Sequence, residues 1–405
     1  MDPVVIAIFV LVYTGMLLGE FPGLALDRTG IALLGAIALV ATDRLTVEAA
    51  AAAIDMPTMA LLLGLMVISA QLRLGGFYTA VTRRVGRSAH GPAGLLALVV
   101  AAAGGLSAVL ANDIVCLAMA PVIVEITARR GLDPVPFLLA VAAAANVGSA
   151  ATLIGNPQNM LIGQALHLPF SRYLLDGGVP AAAGLVVVWA VVCAAWRHRW
   201  RRAIPPPPGA LPAYDRRQTA KGLIVVAAVV LAFVLTSWPR EAVALAGAGV
   251  LLASRRLASR EMLALVDWPL LVLFAGLFVV NHALAASGAL DVLIDGLQAG
   301  GVAIRSPATL FVTTAVLSNL VSNVPAVMLL LPAAVHPASG AVLALASTLA
   351  GNLVLVGSIA NLIVVDQAAR LGVPIGWRAH ARLGIPITVI TLALAAGWLA
   401  LLGGG

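Results

Sequence analysis

Ser107, Asn112 and Pro121 recur as Ser318, Asn323 and Pro332, with the same intervals of five and nine residues and an offset of 211. Both sets interrupt apolar stretches, GLSAVLANDIVCLAMAP at 105–121 and LSNLVSNVPAVMLLLP at 317–332. Inside an apolar segment, amides, hydroxyls and the backbone groups freed at a break can do one kind of chemistry well. They offer oxygens to a desolvated cation and N–H donors to an anion. The tips read Ala111-Asn112-Asp113 and Ser322-Asn323-Val324-Pro325. Two further breaks read Gly155-Asn156-Pro157-Gln158-Asn159 and Gly357-Ser358-Ile359-Ala360-Asn361, preceded by Asn146 and Asn352. Carbonyls and Asn oxygens near Asn112, Asn156, Asn323 and Asn361 suit Na⁺, and the half-helices that follow each break present positive dipole ends to an anion. The candidate ligand set is therefore Asn112, Asp113, Asn146, Gly155, Asn156, Pro157, Asn159, Ser322, Asn323, Pro325, Asn352, Gly357, Ser358 and Asn361.

The same residues have a plainer use, since small and polar side chains hold helices together in membranes. Four breaks in a duplicated pattern favour a site. Asp113 is the sharpest single residue. A carboxylate at a tip near mid-membrane must pair, titrate, bind a cation or cap a helix. Its repeat partner is Val324, so the halves are chemically unequal there. His282 beside Asn281 is a further proton-relay candidate or a packed histidine, and Glu20, Glu125 and Asp366 read as interfacial. No Lys or Arg occurs in 88–128, 131–171 or 306–369, which hold all four breaks. An anion would meet dipoles and amides without a guanidinium clamp, which favours cation-assisted binding or a substrate of little charge.

The elements that position these residues must lie in a bilayer. With 61% hydrophobic and 10% charged residues over 405 positions, and mean hydropathy +1.05, the chain is a polytopic membrane protein. The net charge of +7 reflects orientation in the membrane rather than a nucleic-acid partner. Cys116 and Cys193 lie singly in apolar segments and read as small core residues, and no cleavable signal is apparent at the N-terminus. Neither HExxH nor GxSxG occurs, which argues against an enzyme; no resident cofactor is expected, only Na⁺ or H⁺ as a coupling ion.

Twelve apolar segments fall six and six around a basic, proline-rich linker at 197–218. Arg28, Ala32, Leu33, Gly35 and Ala36 recur as Arg240, Ala244, Leu245, Gly247 and Ala248, offset by 212. Asp55, Pro57, Gly64 and Leu65 recur as Asp267, Pro269, Gly276 and Leu277. Residues 1–196 and 219–405 therefore read as two copies of one unit. Residues 92–127 exceed one span, but only 114–127 follow the break, about 21 Å at 1.5 Å per residue against a core of roughly 30 Å. A re-entrant hairpin at 92–127 is expected, with a second at 306–335, and broken crossing helices at 134–166 and 341–365. The expected fold is all-α: two repeats, each of five transmembrane helices plus one hairpin, and the odd number inverts one repeat relative to the other. This topology puts twenty of the 24 Lys and Arg on the cytoplasmic side of the inner membrane, leaves Arg44, Arg172, Arg240 and Arg305 outside, and places both termini outside.

With ANVGSAATLIGNPQN at 145–159, the two hairpins and the duplicated halves, essentially the whole chain resembles the ion transporter superfamily. That group holds divalent-anion/sodium symporters, citrate permeases, arsenite permeases and some sodium/proton antiporters. In the dicarboxylate symporters each tip reads Ser-Asn-Thr, and its Asn contacts substrate. Asn112 and Asn323 match that pattern, whereas Asp113 and Val324 replace the threonines. An Asn-Asp tip is similar to the arsenite-permease branch, for which proton-coupled extrusion is expected. The resemblance implies an elevator mechanism and, often, a homodimer. The expected activity is secondary transport of a small anion or oxyanion, arsenite-like or carboxylate, coupled to H⁺ or Na⁺; a sodium/proton antiporter is the alternative, and a channel or a membrane-embedded enzyme ranks below both.

Overall fold

The computed structural model describes residues 2–19, 21, 23–202 and 213–403; Glu20 and the centre of the proline-rich linker at 203–212 lie outside the described residues. Within them every regular element is helical, apart from one isolated bridge between Leu132 and Arg201. The first half comprises α1 Pro3–Leu18, α2 Arg28–Ala41, α3 Val47–Ala53, α4 Met56–Leu74, α5 Phe77–Gly86, α6 Pro92–Val109, α7 Asn112–Arg129, α8 Pro134–Ser149, α9 Pro157–Ala165 and α10 Phe170–Trp196. The second comprises α11 Arg216–Leu235, α12 Arg240–Leu252, α13 Ser259–Leu263, α14 Trp268–Ala286, α15 Ala289–Ala299, α16 Pro307–Val321, α17 Asn323–Leu330, α18 Ser339–Ala350, α19 Ile359–Arg370 and α20 Trp377–Gly403, with 3₁₀ turns at Leu331–Ala333 and Leu355–Gly357.

Several starts follow from local chemistry. In Asp55-Met56-Pro57 and Asp267-Trp268-Pro269 the aspartate accepts from the N–H of Thr58 (3.1 Å) and of Leu270 (3.0 Å), while proline occupies a position whose N–H needs no partner. The chain thus uses acidic residues where an apolar helix must begin. Helices α4, α6, α10, α11, α14 and α20 are long and apolar enough to cross a membrane by length and composition. The other apolar helices are shorter, 16 residues in α1 and α8 and 14 in α2.

Two outcomes differ from the sequence reading. Helix α7 runs 18 residues to Arg129, not 14 to residue 127, because Glu125 pairs with Arg129 (2.7 Å) and with Arg83 (3.7 Å) and carries the helix past its apolar run. That arm is about 27 Å long at 1.5 Å per residue, so its length alone does not require re-entry. The second broken segment likewise continues to Arg370, where Arg370 pairs with Asp366 (2.8 Å) one turn earlier. The short helices α3, α5, α13 and α15 were not anticipated, being too brief or too polar for a hydropathy signal.

The long helices cross at small residues. A Cβ on Gly64 of α4 would meet the Ala244 carbonyl carbon of α12 at 2.7 Å, and one on Gly276 of α14 would meet that of Ala32 in α2, also at 2.7 Å. The residues that recur at offset 212 therefore make reciprocal contacts, each half's glycine against the other half's alanine. Adding one methyl at either contact forces apart two backbones that cannot rotate away. Gly64→Ala and Gly276→Ala are each expected to lower stability by about 1–3 kcal/mol, read as a fall in the unfolding temperature of detergent-purified protein; Gly249→Ala, inside α12 with open space around its Cβ, should hold or raise that temperature.

Helix ends gather at two faces. At one, Arg130 donates to the carbonyls of Gly86, Ser88 and His90, Asp133 N–H donates to Trp200, Asp215 N–H donates to Gly75, and Lys221 donates to Leu251 and Ala253. At the other, Arg240 donates to the carbonyls of Gly163 (3.1 Å) and Leu168 (2.7 Å), Gln164 donates to Glu241, and Gly340 packs on Leu168.

Candidate functional site

Helices α6 and α7 are joined by extended backbone at Leu110 and Ala111, so Asn112 and Asp113 occupy the first turn of α7 rather than a loop. The Asn112 N–H donates to Gly155 O (3.3 Å), in the break between α8 and α9. Thr152 Oγ1 from the same break donates to Ala108 O (2.5 Å). Gly155 is required for this docking, since a Cβ there would lie 2.4 Å from Ser149 O and 2.7 Å from Ser107 O. The first tip thus rests on the first break by backbone contact.

The second tip is arranged differently. Helix α16 ends at Val321, and Ser322 turns the chain into α17 with φ +77°, a conformation that costs a side-chain-bearing residue about 1–3 kcal/mol. Ser318 Oγ donates to Ser347 O (3.1 Å) on α18. Its surroundings orient the Asn323 amide with nitrogen toward Ser347 O (3.1 Å) and Gly357 O (3.3 Å), and oxygen accepting from Gln158 Nε2 (3.2 Å). Pro325 O accepts from Tyr13 of α1 (3.2 Å), whose hydroxyl also donates to Asn281 of α14 (2.9 Å).

The two breaks interlock through the last turns of α8 and α18. Asn146 is the hub, 2% exposed. Its oxygen accepts from Ser358 Oγ (2.8 Å) and Asn112 Nδ2 (3.4 Å), and its nitrogen donates to Asn352 Oδ1 (2.8 Å) and Asn361 Oδ1 (3.3 Å). Thr348 holds the corresponding place in α18: its Oγ1 accepts from Asn156 (3.3 Å) and Gln158 (3.2 Å) and donates to Asn159 (3.3 Å). Asn156 and Ser358 cap the helices that follow, accepting from the N–H groups of Asn159 (2.9 Å) and Ala360 (3.2 Å). Asn159 and Asn361 reach back across their own breaks, to Thr152 O and Gly351 O, at 2.9 Å each. By hydrogen-bond role Asn159 therefore corresponds to Asn361 and Asn156 to Ser358, a register the bare sequence strings did not reveal. Pro157 opens α9 at its first position, where its missing N–H costs nothing.

The structure thus links Asn112, Asn146, Gly155, Asn156, Asn159, Asn323, Asn352, Gly357, Ser358 and Asn361 in one buried network. Ser322 and Pro325 shape the second tip. Gln158, Thr348, Ser149 and Ser347 also join the network and were not among the candidates read from the sequence. The signal for Thr348 is its position ten residues before Ser358, as Asn146 stands ten before Asn156. His282 is exposed on α14 and hydrogen-bonds to none of these groups among the described residues, so it supplies no relay to the site.

No charged side chain belongs to the network. Asp113, half-buried beside Asn112, forms no ion pair or hydrogen bond among the described residues. Ser107 Oγ and Asn112 Oδ1 are buried acceptors without partners, as is Asn319 Oδ1 beside Gly357. Asn352 Nδ2 is a buried donor without one. Helices α7, α9, α17 and α19 all begin within the network. It therefore combines oxygens that suit a hard cation with N–H groups and helix N-termini that suit an electron-rich solute.

A family model described as citrate transporter matches residues 8–350. The chain belongs to the citrate transporter family. It is a membrane transporter within the ion transporter superfamily and not an enzyme. The transporter is 32% identical over 373 residues to an uncharacterized transporter, Rv2685, of Mycobacterium tuberculosis, covering 86% of each chain. It is 29% identical over 457 residues to the silicon efflux transporter LSI3 of Oryza sativa, covering 92% of each. Its fold is similar to that of the Alcanivorax borkumensis YdaH transporter, with a TM-score of 0.60 and 16% identity over 99% of this chain and 98% of that one.

Proposed function

We propose that this transporter is a secondary carrier for a small oxyacid or carboxylate, coupled to H⁺ or Na⁺ through Asp113. The observation that carries the reading is the composition of the network: amides, hydroxyls and helix N-termini with no Lys or Arg, next to one unpaired carboxylate. Such a site pays little to desolvate a solute of low charge and has no guanidinium to hold a multiply charged one. Arsenous and silicic acids, neutral hydroxylated species at pH 7, fit these donors and acceptors better than a di- or tricarboxylate. The silicon efflux relative points the same way. Asp113, Asn112 Oδ1 and Ser107 Oγ are the oxygens proposed to take the coupling ion, and Asn146, Asn352, Asn361 and Asn323 those that orient the solute.

The proposed motion is an elevator. The reciprocal Gly64–Ala244 and Gly276–Ala32 contacts, and the ten-by-ten order of helices, support two inverted repeats whose hairpins α6–α7 and α16–α17, together with the broken helices α8–α9 and α18–α19, carry the site past the remaining helices. The face holding Arg73, Arg83, Arg84, Arg87, Arg129, Arg130, residues 197–202 and residues 213–221 is assigned to the cytoplasm, with both termini outside. A sodium/proton antiporter is the second reading, favoured by the unpaired Asp113.

The test uses proteoliposomes loaded with a pH dye, to which arsenite, silicic acid, citrate, succinate and Na⁺ are added separately. Proton movement that requires arsenite or silicic acid is the expected result. A response to citrate or succinate only would move the substrate class to carboxylates. Proton movement driven by Na⁺ alone would replace the oxyacid reading by the antiporter.

A further inference from the structure

Away from the transport site, the amphipathic helix α5 and the end of α7 border two open hollows of about 370 and 620 Å³ that share Arg83 and Arg87 in their linings. The smaller adds Glu125, Arg129 and Arg130; the larger adds Arg84 and Tyr214. The five arginines are not equivalent. Arg130 is committed to the carbonyls of Gly86, Ser88 and His90. Arg83 and Arg129 share the single carboxylate Glu125, at 3.7 and 2.7 Å. Arg84 and Arg87 are exposed and form no ion pair among the described residues. The cavities therefore hold four positive charges beyond their one negative charge, two of them on guanidiniums that make no hydrogen bond or ion pair among the described residues.

Orientation in the membrane asks only for basic residues on this face; it does not ask for a shared hollow. The hollow is built. Buried Tyr78 anchors α5, and Gly86 sits so close to Ile126 of α7 that a Cβ would lie 2.5 Å away. This packing turns Arg83, Arg84 and Arg87 toward one volume that also receives Tyr214, 55% exposed. Planar guanidiniums with free forks match phosphate oxygens, and a tyrosine at the membrane surface supports a headgroup from the side.

We propose that these cavities form one binding site for a phosphate group, supplied by an anionic phospholipid headgroup at the cytoplasmic surface or by a soluble phosphate. Basic pockets between helices at that surface are suited to such headgroups. Because α5 packs on α7, whose first turn carries Asn112 and Asp113, an occupied site braces the base of the first hairpin. The site is independent of which solute the transporter carries.

The experiment measures the unfolding temperature and native-mass-spectrometric lipid retention of the detergent-purified, full-length transporter. Probes are phosphatidylglycerol, phosphatidylcholine and inorganic phosphate, each added alone. Wild type is expected to retain phosphatidylglycerol at least threefold better than R84Q/R87Q, and phosphatidylcholine equally. R84K/R87K, which keeps charge but not the fork, should lie between. R197Q/R199Q removes the same charge from the same face outside the cavities and should behave as wild type. Stabilisation by phosphatidylglycerol alone assigns the source to lipid, and stabilisation by inorganic phosphate assigns it to a soluble ligand; both require loss in R84Q/R87Q. Equal retention by wild type and R84Q/R87Q, or equal loss in R197Q/R199Q, overturns the site in favour of a diffuse basic surface. The R84K/R87K protein keeps the test decisive if R84Q/R87Q fails to fold.

Discussion

Asp113→Asn is expected to abolish coupling while leaving the fold intact. In proteoliposomes the solute-driven pH change should fall by about 100-fold, the upper end of a 1–3 kcal/mol coupling between two ligands. Exchange of labelled solute across the membrane with no ion gradient should persist, because the amide network proposed to orient the solute is untouched. The unfolding temperature should hold or rise: Asp113 has no partner to lose, and removing a carboxylate from the first turn of α7 removes a desolvation cost. A helix-capping role predicts the opposite pattern, lower stability with coupling preserved. That role is already disfavoured by geometry, since Ala111 and not Asp113 stands at the cap position and Asp113 accepts from no backbone N–H. Unchanged coupling in Asp113→Asn would remove this residue from the mechanism.

Replacing Asn146 should have the largest effect on stability and transport together. Asn146→Leu leaves Asn352 and Asn361 without a donor, and Ser358 and Asn112 without an acceptor, all in a region sealed from water. An orphaned buried polar group costs about 1–3 kcal/mol. The two 2.8 Å bonds, to Asn352 and Ser358, set the loss; the 3.3 and 3.4 Å contacts add less. A destabilisation of about 3 kcal/mol is expected, toward the lower end because polar groups in membranes often find substitute partners. Transport should be undetectable. Asn146→Asp keeps both acceptor contacts and loses the donors, so it should lie between in stability while introducing a charge at the proposed solute site. Wild-type flux in Asn146→Leu would mean that the hub is structural glue.

Much of this was legible along the chain because a membrane enforces simple bookkeeping. Apolar runs mark the helices. A polar break inside one is costly unless it serves a purpose, so Asn112, Asn156, Asn323 and Asn361 stood out by position alone. The recurrence of Gly64 as Gly276 and of Ala32 as Ala244 is a local pattern that needs no coordinates to be seen. Helix ends were less legible, as α7 and α19 show. Hydropathy fades near the first charged residues, whereas a helix continues when such a charge finds a partner one turn away, as Glu125 and Asp366 do. The place of Thr348 in the network was also hidden, because a threonine in an apolar helix ordinarily satisfies itself on its own backbone.

Composition and spacing were enough for the class, an all-helical membrane protein with polar breaks at four places, because burial and backbone satisfaction in lipid depend on them. Which breaks meet is visible only in the folded chain: Asn146 with Ser358 and Asn352, Thr348 with Asn156 and Gln158, Asn323 with Gly357. So is the place of Asp113 outside that network, and so is the one hollow that Arg84 and Arg87 line. These are contacts between residues distant along the chain, and they arise from how helices cross at Gly64, Gly155 and Gly276. A one-residue change in that crossing would pair different side chains while leaving every apolar run as it is.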